Sequence, residues 1–200
     1  MKREDLPLVT PAQFKRFNPC WLRTAEGRAR YERVAAQRTK WNAMDVLDLE
    51  DVSEDERLWA VLREEFLPPM LLHEFACRCA EWALSFVNAP DPQSAEAIRM
   101  KRRWMAGDVT DCELRAARLA ARSVASEVAA RSAEGAAWAA EGAAARAAEG
   151  AAEWVAERVA EFAAVQHAWS GLAMANGRSS AREHEVDMLR TLIDEWGERA

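Results

Sequence analysis

The sequence predicts an all-α protein, a multi-helix bundle, on three observations: alanine dominates its second half, period-2 alternation is sustained nowhere, and helix-capping signals recur along the chain. β-branched residues are few and there is one tyrosine, so strand propensity is low. With 200 residues, half of them apolar, the chain can bury one good-sized core. A single helical domain over residues 1–200 is expected, with an N-terminal helical part and acidic loop (1–68) followed by an alanine-rich bundle (69–200).

The elements follow from local chemistry. Thr10-Pro11-Ala12-Gln13 reads as an N-cap, a proline at the first helical position and a capping-box glutamine; the short helix it starts is stopped by Asn18-Pro19. Thr24 caps a second helix expected to run to about Trp41. From Asp45 to Glu56 seven carboxylates occur with no base among them, and Val46, Leu47, Leu49 and Val52 are interleaved. That pattern is expected to form a loop held down by its leucines. Ser53-Glu54-Asp55-Glu56 is another capping box, followed by Leu58, Val61, Leu62 and Phe66 at helical spacing until Pro68-Pro69.

Leu72, Phe75, Cys79, Trp82, Ala83 and Phe86 then recur with the period of an amphipathic helix, and the segment ends at Asn88-Ala89-Pro90-Asp91-Pro92. A helix of about 14 residues comes next and closes at Gly107, a residue free to take the left-handed conformation. The clearest start follows: Thr110 caps, Glu113 completes the box, and Val109 is placed to pack on Leu114 as a hydrophobic staple.

Between Asp111 and Ser170 there are 24 alanines in 60 residues, with Glu134-Gly135-Ala136-Ala137, Glu141-Gly142-Ala143-Ala144 and Glu149-Gly150-Ala151-Ala152 as an imperfect repeat. One straight helix of that length would extend about 90 Å, twice the roughly 45 Å width of a compact domain of this size. The register of Val155, Val159, Phe162 and Trp169, continued upstream, would also turn Glu141 and Glu134 inward. A break between about Ser132 and Gly150 is therefore expected, giving two long antiparallel helices that pack through alanine seams. Asn176-Gly177 closes this region, and Ser180 with Glu183 boxes a last helix whose buried stripe is Val186, Leu189, Ile193 and Trp196.

Charge and composition exclude several classes. A formal net charge of -6 disfavours direct nucleic-acid binding, which needs a basic face to displace counterions. No apolar run reaches the roughly 18 residues of a membrane span, and Met1-Lys2-Arg3-Glu4-Asp5 leads into no apolar stretch like that of a signal peptide. A cytosolic protein is expected, with Cys20, Cys77, Cys79 and Cys112 as free thiols.

No catalytic centre is expected. His73-Glu74 and His184-Glu185 lack the second histidine four residues on that would put two metal ligands on one helix face. Cys77 and Cys79 are two apart in a helix, so their thiols point about 200° apart and suit burial better than a shared metal. P-loop, dinucleotide and nucleophile-elbow motifs are absent, so neither cofactor nor metal is expected. Arg99, Lys101, Arg102 and Arg103 read as a solvated helix face, with Trp104 in the core. Of the nine tryptophans, Trp82, Trp154, Trp169 and Trp196 lie on or beside apolar stripes, where they fill gaps left by small alanines, and one or two of the others are candidate partner anchors. The candidate partner-binding residues are Asp45, Asp48, Glu50, Asp51, Glu54, Asp55 and Glu56, a negative patch suited to steering a basic protein. The alternative for this patch is a solvated loop whose charge is offset internally by Arg23, Arg28, Arg30, Arg33, Arg38 and Lys40.

The stretch from Phe75 to Leu84, the Asn-Ala-Pro-Asp-Pro spacer, Ala97-Ile98, the run from Arg103-Trp104 to Arg118 and the alanine-rich tail together resemble a known group. Over about residues 71–169 the chain is similar to immunity proteins of bacterial toxin systems and related alanine-rich proteins of phages and prophages. The resemblance implies a cytosolic, non-enzymatic binder in a bacterial host that occludes a protein partner, such as a basic toxin or defence nuclease. The alternative is a scaffolding protein that forms homo-oligomers through its alanine seams.

Overall fold

A computed structural model describes residues 5–85, 92–131 and 178–199, and side chains are described for 5–85, 92–121 and 182–197. Among these residues the structure is all-α: eight α-helices and one 3-10 turn, with no strand beyond an isolated pair of bridged residues. The helices are α1 (Pro11–Arg16), α2 (Ala25–Ala35), α3 (Ala43–Leu47), α4 (Glu54–Val61), α5 (Pro69–Ser85), α6 (Pro92–Met105), α7 (Asp111–Arg131) and α8 (Arg178–Arg199), and the 3-10 turn is Cys20–Arg23.

The caps explain most helix starts. At α1 the Thr10 hydroxyl accepts from Gln13 N–H at 3.2 Å and the Gln13 side chain accepts from Thr10 N–H at 2.9 Å, the reciprocal box read in the sequence. At α2 the Thr24 hydroxyl accepts from Gly27 N–H at 3.0 Å and donates to the Trp21 carbonyl at 2.9 Å, which joins the helix to the 3-10 turn. A Cβ on Gly27 would sit 2.1 Å from that carbonyl oxygen, so the junction requires glycine. α6 ends in a Schellman arrangement, with Gly107 at φ +80°, Asp108 N–H donating to the Arg103 carbonyl and Gly107 N–H to that of Trp104. The Thr110–Glu113 box opens α7 as expected.

Four expectations need correction. α2 ends at Ala35, not near Trp41; residues 36–40 are polar or small and exposed, and Trp41 is 7 % exposed in the core, bridged to Val9 by backbone bonds of 2.8 and 2.9 Å. Burying the indole outweighs continuing a helix whose next turn has nothing apolar to bury. The acidic stretch is not a continuous loop, because Asn42 and Asp45 form a full capping box that starts α3 and α4 begins at Glu54. At Ser53 only half a box forms, since Glu56 accepts from the Ser53 hydroxyl and not from its amide. Ser180 lies inside α8 and is not its cap. The expected break between Ser132 and Gly150, and hence the pair of long alanine-rich helices, falls outside the described residues.

The main core joins the N-terminal segment, α3, α4, one side of α5 and α8, through Leu6, Val9, Leu47, Leu58, Phe66, Leu72, Phe75, Leu189 and Leu192 among others. Burying side chains of this kind contributes roughly 1.5–3 kcal/mol each. α5 is covered on more than one side: Cys77, Ala80, Ala83 and Leu84 are buried but lie outside that cluster, while α6 packs both on α5 and on α7. A second, smaller cluster of Ala97, Leu114 and Ala121 joins α6 to α7. Val109 and Leu114 are both 9 % exposed, as the staple expects.

Candidate functional site

α3 and α4 bring the seven carboxylates together and largely commit them to the fold. Asp45 pairs with Arg38 at 2.5 Å, Asp48 with Arg190 at 3.1 Å, Glu54 with Arg57 at 2.8 Å and Asp55 with Arg182 at 2.7 Å. Glu56 pairs with Arg30 of α2. Of the six basic residues expected to offset the stretch, Arg30 and Arg38 do so; Arg57, Arg182 and Arg190, which the sequence reading did not foresee, supply the rest. Arg57 and Arg190 also both donate to the Leu47 carbonyl, each at 2.7 Å, and so close the C-terminus of α3 with two guanidinium groups. Arg182 reaches from Asp55 to Glu185, which is 2 % exposed and whose carboxyl is raised above its ordinary range by burial, with Arg182 acting in the opposite sense. Glu50 and Asp51 differ from the other five. Both are exposed in the turn between α3 and α4 and, among the described residues, neither forms an ion pair.

The inner side of this segment walls a half-open apolar cavity of about 70 Å³. Val46, Leu49 and Val52 line it together with Tyr31, Val34 and Ala35 of α2, and Phe14, Trp21, Trp41, Ala60 and Phe66 are among the other lining residues. Such a cavity has room for a few methylene groups or waters, and the lining offers a water few partners. Its aromatic side is a packed cluster: the Phe14 ring lies 5.7 Å from Phe17, 5.9 Å from Trp21, 6.0 Å from Tyr31 and 6.1 Å from Trp59. The Tyr31 hydroxyl donates to the Pro11 carbonyl at 2.6 Å, and burial raises its pKa. The Arg30–Glu56 ion pair also lines the cavity. The sequence reading did not identify this pocket, since its walls come from residues up to 57 positions apart, Val9 to Phe66. A local signal existed in the apolar residues threaded through the acidic run.

The histidine and cysteine motifs go elsewhere. His73 is 3 % exposed and meets Trp104 edge-on at 5.3 Å; burial, reinforced by Lys101, lowers its pKa to about 4. Glu74 is taken up by Arg78 and Arg102, and His184 lies against Trp82 at 4.3 Å. Cys79 touches Met188 of α8, its sulfur 4.0 Å from the thioether, while burial raises the Cys77 thiol to about 12. All four cysteines are free. Among the described residues no three metal-ligating side chains cluster, and no helix is long and apolar enough to cross a membrane. The basic cluster of α6 departs from the solvated face expected of it. Arg99 and Arg103 are exposed, but Arg102 is tied to Glu74 and Glu81, and Lys101 is 1 % exposed with its ammonium 3.9 Å from the Trp104 ring centroid. Trp104 itself is half-buried.

Comparison with protein-family models, with curated proteins and with solved structures gave no match.

Proposed function

We propose that the chain is a non-enzymatic protein-binding module whose recognition surface is the acidic α3–α4 segment together with the apolar cavity behind it. The observation that carries the reading is the coincidence of the two: Val46, Leu49 and Val52 line the cavity, and the uncommitted carboxylates Glu50 and Asp51 stand in the same short segment. An apolar anchor from a partner would fill the cavity, and basic residues beside it would meet the acidic turn. Interfaces concentrate their binding energy in such pocketed anchors, while complementary charge speeds encounter and rejects wrong partners. The partner class that fits is a basic protein, such as a toxin or nuclease whose cleft is covered on binding, which is the inhibitor role implied by the resemblance to immunity and phage proteins. The setting proposed is the cytosol of a bacterial host.

Two variants test this. Glu50→Lys with Asp51→Lys reverses the free charge, and Ala35→Leu fills the cavity from α2. Capture from host lysate is expected to recover a basic protein at one copy per chain, with affinity lowered about tenfold or more by each variant. Recovery of no stoichiometric partner, or of one that both variants bind as well as the parent, overturns the proposal.

A further inference from the structure

The chain has 23 arginines and four lysines. Among the described residues, arginines supply the ion pairs named above, and the most deeply buried cation is a lysine, Lys101, at 1 % exposure. A lysine is rarely buried without a carboxylate, because desolvation penalises its charged form, and unlike arginine it can shed the proton. No ion pair to Lys101 forms among the described residues. Its nearest group is the Trp104 ring, at 3.9 Å. His73 of α5 faces the same ring, its Nδ1 buried without a hydrogen-bond partner. Cys77, fully buried, is electrostatically coupled to Lys101 from the α5 side. The charged groups around them are Glu74 and Glu81 of α5, both held by Arg102 of α6, and Asp111 of α7, whose carboxylate accepts from Trp104 Nε1 at 2.7 Å. Burial lowers Lys101 to about 8, against the opposing influence of Cys77 and Asp111, so a useful fraction of the amine is neutral near pH 7.

We propose that Lys101 is a carbamylation site, where its amine takes up dissolved carbon dioxide and the His73 imidazole donates a hydrogen bond to the product. The lone pair of Nζ forms the new N–C bond while one C–O π bond opens to an oxyanion. One amine proton leaves to solvent, so R–NH2 and CO2 give R–NH–COO⁻ and H⁺. Carbon dioxide is the electrophile that fits, being small and apolar enough to reach a side chain with 1 % exposure, where a larger carbonyl compound would need the α5–α6 packing to open. The neutral imidazole, with its hydrogen on Nδ1, offers the otherwise unpaired donor that a buried carbamate oxygen requires.

The test uses the full chain carrying lysine labelled with ¹⁵N at the side-chain nitrogen, in ¹³C-bicarbonate buffer. A lysine carbamate then gives a ¹³C doublet split by nitrogen, which the chain's amino terminus cannot give. One doublet is expected, growing steeply between pH 7.0 and 8.5 at fixed dissolved carbon dioxide, because the neutral fraction of an amine titrating near 8 rises about eightfold and the proton released by the step favours the product further. It should vanish in Lys101→Arg and persist when Lys2→Arg, Lys15→Arg and Lys40→Arg are combined. No doublet in the parent chain, or one unchanged in Lys101→Arg or lost with the other three lysines, overturns the proposal. Should Lys101→Arg fail to fold by circular dichroism, the parent chain and the triple Lys2/Lys15/Lys40 variant decide the matter alone.

Discussion

Acidification should weaken this fold through one identifiable side chain. His73 is 3 % exposed, stands against Trp104 and has Lys101 nearby, and its pKa falls from 6.5 to about 4. Between those values the unfolded chain binds a proton that the folded chain refuses. The stabilising term is therefore fully present above pH 6.5 and is lost as pH falls toward 4. At about 1.4 kcal/mol per pH unit the lowering corresponds to roughly 3 kcal/mol, a large share of the 5–15 kcal/mol that holds a typical domain together. Ion-paired carboxylates also titrate toward the acid end of this window, so the measurement is a difference. Urea unfolding of the parent and of His73→Leu is compared at half-unit steps from pH 7 to 4.5, with near-UV circular dichroism at pH 7 to confirm packing. Lys101 titrates near 8, outside the window, so its response to the substitution does not enter. The parent should lose about 2–3 kcal/mol more than the variant across that range. A stability gap that stays constant from pH 7 to 4.5 would refute the reasoning, because it would mean that His73 protonates as easily folded as unfolded.

Other perturbations follow from the same contacts. Arg190→Ala leaves the Leu47 carbonyl with one guanidinium donor instead of two and breaks the pair to Asp48, and should cost about 1–3 kcal/mol by chemical denaturation. Glu50→Gln with Asp51→Asn should change stability by less than about 0.5 kcal/mol, whereas Asp45→Ala, which removes both a capping-box acceptor and the pair to Arg38, should cost about 1 kcal/mol or more. Gly27→Ala drives a methyl into the Trp21 carbonyl; a lowered melting temperature and a shifted tryptophan emission are expected, and an unchanged spectrum would contradict the close approach. Thr110→Ala should cost about 1 kcal/mol as the loss of the α7 cap, read by the same denaturation assay.

What was legible in the sequence was mostly local. The Thr10, Thr24 and Thr110 caps and the Gly107 closure lie where the residues put them, since a cap is decided within four positions of the chain. The buried stripe of α8 was legible too: Val186, Leu189 and Ile193 are buried and Trp196 is half-buried. Illegible was anything set by a distant partner. Trp41 leaves its helical run because Val9 offers it a backbone pair and a buried place in the core. The acidic run becomes structural because Arg182 and Arg190, more than a hundred residues away, reach it. Lys101 sits three residues beyond Ile98 and four beyond Ala97, on their buried face, a placement that periodicity could have flagged despite the arginines around it. Half of the candidate site was thus in view: the carboxylates and their pairing with Arg30 and Arg38, but neither the pairs to Arg57, Arg182 and Arg190 nor the cavity at their back.

Hydrogen–deuterium exchange on the chain bound to its captured partner is the most direct trial of the binding surface. Protection is expected to concentrate in residues 30–35 and 46–52, the two segments that line the cavity, and to be weaker in the Ala35→Leu chain at the same partner concentration. Protection confined to α6 and α7, with 46–52 exchanging as fast as in the free protein, would place recognition elsewhere and contradict the account.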